Sequence, residues 1–205
     1  MGCGCTEEKQ NEINPDKIII TSGKNKSDNN KENLENSERK NDTLIMKQPQ
    51  KNKAKIKKFI EDALKKHNEL RKQHGSEPLK LSEDLNKIAQ EYAEILAKIN
   101  EIKHSNNKYK GYDLGENIFC CSGTEIQGDN MTLSWYKEIN DYDFNNPGFI
   151  SGTGHFTQLI WKETEEVGFG FSQSKNGIYY GVANYFPAGN INTKEDFNKN
   201  VLRKL

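Results

Sequence analysis

No run of apolar residues in this chain approaches the roughly 20 needed to span a bilayer as a helix, and its N-terminus carries no signal-peptide core. Net charge is also missing. Thirty Lys and Arg offset thirty Asp and Glu, so bulk electrostatics gives no reason to expect nucleic acid as a partner. Cysteine is scarce, with Cys3 and Cys5 near the start and the adjacent pair Cys120-Cys121. That spacing fits neither a disulfide framework nor a zinc site, and a reducing, cytosolic compartment is expected. Hydrophobic residues make up only 33% and mean hydropathy is −0.96, but the polarity is unevenly spread. A chain of 205 residues holds one ordinary domain with room for a tail.

What is present begins with Met1-Gly2-Cys3-Gly4-Cys5-Thr6, which fits the N-myristoylation pattern at Gly2 with two cysteines beside it for palmitate. One myristoyl chain holds a protein only marginally, and a second acyl chain at Cys3 or Cys5 makes attachment stable. Residues 1–50 are rich in Asn, Lys, Glu and Ser without apolar periodicity, and are expected to form a disordered tail. A lysine cluster from Lys47 to Lys58 follows. It reads either as a solvated helix entry or as a hold on anionic lipid.

The folded domain is expected over 51–205. Ile56, Phe59, Ile60, Ala63, Leu64, His67 and Leu70 recur at helical spacing, with Gly75 as a C-cap and Pro78 blocking continuation. Ser82 caps a second helix whose stripe is Leu85, Ile88, Ala89, Tyr92, Leu96 and Ile99. A loop from Lys103 to Gly123 carries His104, Gly115-Glu116-Asn117-Ile118 and the cysteine pair. A third helix covers roughly 129–141. Three strands are then expected, at about 155–162, 166–172 and 177–185, the last two joined at Asn176-Gly177. In the first of these His155 stands at the mouth of the strand, on one face with Thr157, Leu159 and Trp161. Helices first and strands later indicate an α+β domain with helices on an antiparallel sheet.

Four stretches stand in order: His67-Asn68-Glu69-Leu70-Arg71, Gly115-Glu116-Asn117-Ile118, Gly154-His155-Phe156-Thr157-Gln158-Leu159-Ile160-Trp161 and Asn184-Tyr185-Phe186-Pro187-Ala188-Gly189-Asn190. In that order and spacing the chain resembles the CAP superfamily (cysteine-rich secretory proteins, antigen 5, pathogenesis-related 1), over about residues 54–205. Within it the likeness is greatest to an intracellular, Golgi-associated branch, whereas most of the family is secreted. Ala183 stands where secreted members carry a disulfide cysteine.

The resemblance implies an α-β-α sandwich with a central cleft of two histidines and two acids, here His104, Glu116, Glu138 and His155. Two neutral imidazoles can bind zinc or another divalent metal, with the carboxylates setting their tautomers. Alternatively the carboxylates only hydrogen-bond the rings, or the four form a scaffold. His67 reads as a packed helix residue, His74 as an exposed one, and Arg71 as an ion-pair partner. The resemblance implies a non-enzymatic domain binding sterol, fatty acid or anionic phospholipid and protein partners. Acylation would place it on the cytoplasmic face of membranes, Golgi or plasma membrane. The alternative is a serine-protease-like hydrolase using His104, Glu116 and Ser122, assembled across a homodimer. No nucleophile-elbow or local metalloprotease motif accompanies those residues. A self-association module is a third reading.

Overall fold

The structure, a computed structural model, describes the backbone of residues 31–191 and 193–205 and the side chains of 52–191 and 193–205. The acylation residues Gly2, Cys3 and Cys5 lie outside the described residues. The chain separates into two compact units, Met1–Leu44 and Ile45–Leu205. The first holds the opening of helix α1, and every other described element belongs to the second.

Helix α1 (Lys31–Gln73) begins before Lys53, where the sequence places the start of the folded part. It buries Phe59, Ala63, His67 and Leu70 of the expected face, and Arg71 besides, and the chain leaves it through Gly75 at φ +67°. Strand β1 (Lys80–Leu81) leads to α2 (Glu83–Ile99), where Ser82 accepts from the Leu85 amide as predicted. Leu85, Ala89, Tyr92 and Leu96 are buried, but Ile99, the last residue of the helix, is exposed.

The short pair β2 (Lys108–Tyr109) and β3 (Tyr112–Asp113) precedes β4 (Gly115–Cys121). Then come α3 (Gly128–Tyr136), a 3₁₀ turn (Lys137–Asp141), α4 (Gly154–Ile160), β5 (Glu166–Gln173), β6 (Tyr179–Phe186) and α5 (Lys194–Asn200).

The main sheet runs β1-β5-β6-β4. β4 and β5 pair antiparallel with β6, and the two residues of β1 pair parallel with β5, so the sheet is mixed rather than wholly antiparallel. Helix α2 covers one face, closing a cluster of Ala89, Tyr92, Leu96, Ile118, Tyr180 and Val182. The other face packs on α1, α3 and α4 around Phe59, Trp135, Phe156, Trp161, Phe169 and Tyr185. An α+β sandwich of helices around a central sheet results, as expected.

Strand β5 shows how tightly the α2 layer is fitted. β1 pairs with β5 only as far as Val167, which leaves the amides of Phe169 and Phe171 on an open edge. Asn86 Oδ1 accepts from Phe169 N at 2.8 Å and Gln90 Oε1 from Phe171 N at 3.1 Å, so side chains of α2 replace the missing strand. That approach needs glycine beneath the helix. A Cβ at Gly168 would lie 2.1 Å from the Leu85 carbonyl carbon, and one at Gly170 2.3 Å from the Gln90 nitrogen.

Three sequence expectations are corrected. Residues 154–160 form a helix, not a strand, and Phe156 through Trp161 are buried on every side, so neither period could show in the pattern. The loop expected from Lys103 to Gly123 contains β4, and the helix expected to reach Asp141 gives way at Lys137 to the 3₁₀ turn. Helix α5, capped by Thr193, was not expected at all.

Candidate functional site

Consecutive residues of a strand face opposite ways, and at the start of edge strand β4 this matters. Glu116 shares its face with Ile118, which packs in the α2 cluster, while Asn117 shares its face with Phe119 on the other side. The start of β4 is therefore where both helical layers reach the sheet edge. His104 arrives from the α2 side. Its backbone is fixed by the Tyr92 hydroxyl, which donates to the Lys103 carbonyl. His155 arrives from the other side on α4, its ring stacked near that of Trp135 at 19° between planes.

The four predicted residues fall into two pairs of the same design. His104 Nδ1 lies 2.9 Å from Glu116 Oε1, and His155 Nδ1 lies 2.7 Å from Glu138 Oε1. Each carboxylate is itself held by backbone amides. Glu116 accepts from Ser105 N at 2.8 Å, and Glu138 Oε2 accepts from both His155 N and Phe156 N at 3.0 Å. Glu138 thus caps the first turn of α4, a role the Thr153 side chain leaves open, and orients the histidine on that same turn.

Ionised carboxylates only accept, so each Nδ1 carries the proton, and in the neutral ring Nε2 keeps the lone pair. The hydrogen bond that His104 donates to Glu116 holds the His104 pKa above its ordinary value, against the effect of burial. Burial pushes Glu116 upward, but hydrogen bonds from His104, Ser105 and Asn184 outweigh it and hold that carboxyl below the usual range.

His104, Glu116, Asn117 and His155 line one cleft of about 200 Å³, with Phe149, Ser151, Gly152, Gly154 and Asn190 completing the wall. Glu138 sits behind His155. A two-imidazole site with the tautomers fixed this way suits a soft-to-borderline divalent ion such as zinc. Among the described residues no group of three or more His, Cys, Asp and Glu is placed to hold a metal ion, so water would have to complete any such shell.

The alternative nucleophile is not brought to this cleft within one chain. Ser122 follows the last residue of β4, six positions from Glu116, or about 20 Å at the usual strand rise. Cys121 packs at the same far end of the strand, and both cysteines of the pair sit beyond the cleft wall.

Arg71 and His74 depart from expectation. Arg71 is fully buried and, among the described residues, forms no ion pair with a carboxylate. Its guanidinium donates to the carbonyls of Glu77, Leu159, Trp161 and Thr164 at 2.8–3.0 Å. His74 is buried rather than exposed, because the C-terminal segment folds over it. Its Nδ1 donates to the Leu202 carbonyl and its Nε2 accepts from the Tyr136 hydroxyl. His67 is buried as expected. Ser105, Asn117 and Asn184 also serve the cleft. Asn117 and Asn184 stand in two of the four motif stretches without a role in the site being expected of them, and Ser105 has only its place beside His104 as a signal.

A family model for the cysteine-rich secretory protein family, CAP, matches residues 64–185. The human Golgi-associated plant pathogenesis-related protein 1 is 44% identical over 150 residues, which span 73% of this chain and 96% of that protein. Pathogenesis-related protein 1C of Nicotiana tabacum is 32% identical over 139 residues, 67% of this chain and 80% of its own length. Among solved structures, that of NaASP2 with Zn²⁺ superposes at a TM-score of 0.58 with 22% identity, covering 74% of this chain and 88% of that one. BmVAL-1 follows at 0.54 and 22%, covering 66% and 80%. At these identities the two structures speak to the fold alone.

Proposed function

The chain belongs to the cysteine-rich secretory protein family, CAP, and on that premise we propose that it is a non-catalytic, membrane-associated binding domain whose cleft holds a divalent metal. The observation that carries the metal reading is the pairing of both imidazole Nδ1 atoms with amide-anchored carboxylates on one cleft. His104 and His155 would be the protein ligands, and Glu116 and Glu138 would orient them. A bound metal would supply Lewis-acid polarisation of a coordinated polar head group. A related fold crystallised with Zn²⁺ supports zinc as the first ion to try.

Titration calorimetry with zinc on the full chain tests this. Wild type is expected to bind modestly and exchangeably. Glu116→Gln and Glu138→Gln should bind about 10–100-fold more weakly, the range for groups that orient a ligand. His104→Ala and His155→Ala should lose more. Unchanged affinity in both histidine variants would reduce the four residues to a scaffold.

Membrane association rests on the acylation signals at Gly2, Cys3 and Cys5 and on the Golgi-associated name of the human relative. Among the described residues no helix is long and apolar enough to cross a membrane. Lipid, protein partners and a second copy of the chain are then the candidates for what the domain meets there. In cell fractionation Gly2→Ala is expected to move the protein to the soluble fraction, and Cys3→Ser with Cys5→Ser to do so partially. Retention of Gly2→Ala on salt-washed membranes would remove acylation as the anchor.

A further inference from the structure

The two halves of the cleft come from opposite layers, and a buried chain of hydrogen bonds ties the His155 half to the strand that carries Glu116. Asn117 Nδ2 has two protons and two acceptors in reach, the His155 carbonyl at 3.0 Å and the Tyr185 hydroxyl at 3.1 Å. Tyr185 in turn lies 2.8 Å from His67 Nε2. The direction of each bond follows from chemistry. The Ala63 carbonyl, 2.8 Å from His67 Nδ1, can only accept, so Nδ1 carries the proton and Nε2 is the acceptor. Tyr185 therefore donates to His67, and its oxygen is left to accept from Asn117. His67 and Tyr185 are fully buried and Asn117 is 1% exposed, so no water competes for these groups.

From this geometry we infer that Asn117 is the positioning residue that sets where His155 stands relative to His104. Glu116, its neighbour on β4, holds the His104 ring from one face of the strand. Asn117 holds the His155 backbone from the other. One dipeptide therefore fixes both halves, and the Tyr185–His67 pair braces its amide so that it cannot turn away. The inference rests on the cleft being a two-histidine metal site, yet it makes a separate prediction for the metal-free protein.

Imidazole NMR of the metal-free full-length protein is the first arm. In Asn117→Ala the ring resonances of His155 should move, and exchange of its Nδ1 proton with water should quicken about tenfold or more, while the His104 ring stays in place. Tyr185→Phe leaves the direct bond from Asn117 to the His155 carbonyl and should produce a smaller change of the same kind. It also serves if Asn117→Ala does not fold.

The second arm is a double-mutant cycle in zinc affinity. Asn117→Ala should weaken zinc binding about 10–100-fold in the wild-type background. It should have no further effect on His155→Ala, because it acts only through that residue. Unmoved His155 resonances in both variants overturn the inference, and so do additive losses of zinc affinity. Absence of zinc binding by wild type, with His155 shifted as expected, would instead sink the metal reading and leave the positioning role standing.

Discussion

Replacing Arg71 with methionine is expected to lower the unfolding free energy by about 4 kcal/mol or more, at the extreme of what single substitutions do. The guanidinium reaches four carbonyls, Glu77 and Thr164 on the loops and Leu159 and Trp161 at the end of α4; of these Trp161 also accepts from the Thr164 amide at 3.1 Å. Hydrogen bonds from a charged donor are worth roughly 1.5–3 kcal/mol each, and a buried carbonyl left unpaired costs about 1–3 kcal/mol. Against this stands the cost of burying the cation. Burial has lowered its pKa to about 10, so about 3 kcal/mol would be recovered by removing it. The loss still dominates. A charge at the C-terminal carbonyls of α4 also suits the helix dipole. Arg71→Lys should recover only part, because a single ammonium cannot span acceptors arranged around a planar fork. Urea denaturation at neutral pH measures both. A loss under about 1 kcal/mol for Arg71→Met would mean that water enters and serves those carbonyls instead.

Arg71 also illustrates what the sequence conceals. An arginine on a helix near Glu69 reads as half of an ion pair, and nothing local says that the end of α4 and the loop after it, about ninety residues later, will supply carbonyls. Helix α4 is hidden for a related reason. From Phe156 to its end at Ile160 every residue is buried, Gln158 included, and its cap is a carboxylate from Glu138 rather than an adjacent Ser or Asp. Strand β4 is covered on both faces, so it has no polar–apolar alternation, and buried Asn117 breaks what pattern remains. By contrast, α1 and α2 each have one wet and one dry face, and the β5–β6 hairpin carries its turn in Asn176-Gly177, with Gly177 at φ +82°. The histidine–carboxylate residues were legible because four motifs in order resemble one family. Their pairing was not, because it depends on both layers meeting at one sheet edge.

Acid should destabilise the domain well before its carboxylates titrate, and His67 is the reason. Burial pushes its pKa from 6.5 down to about 3; the Ala63 carbonyl bound to Nδ1 opposes this in part, and the Arg71 cation adds to it. In the unfolded chain the same ring protonates near 6.5. Between those two values the unfolded state binds more protons, so stability falls as pH falls across that window. At ~1.4 kcal/mol per pH unit the full effect is about 5 kcal/mol by pH 3, comparable with the whole stability of many domains. His74, also lowered by burial, acts with the same sign. His104 acts oppositely. Its raised pKa contributes stability below about 6.5 that is lost as pH rises through the folded value, and its exposure lets solvent screen the effect. Glu116, held low, adds stability that disappears only at more acid pH, as its carboxylate is protonated. The interval from pH 6 to 5 therefore isolates the histidines. His67→Phe removes the titrating ring and leaves the Tyr185 hydroxyl without its acceptor, so the variant starts less stable at neutral pH. Its unfolding free energy should nevertheless change less steeply from pH 6 to 5, by about 1.4 kcal/mol per pH unit relative to wild type. Urea titrations at intervals across that range measure the slope directly. Parallel curves for the two proteins would show that folded His67 takes up its proton as readily as the unfolded chain does, against everything its surroundings imply.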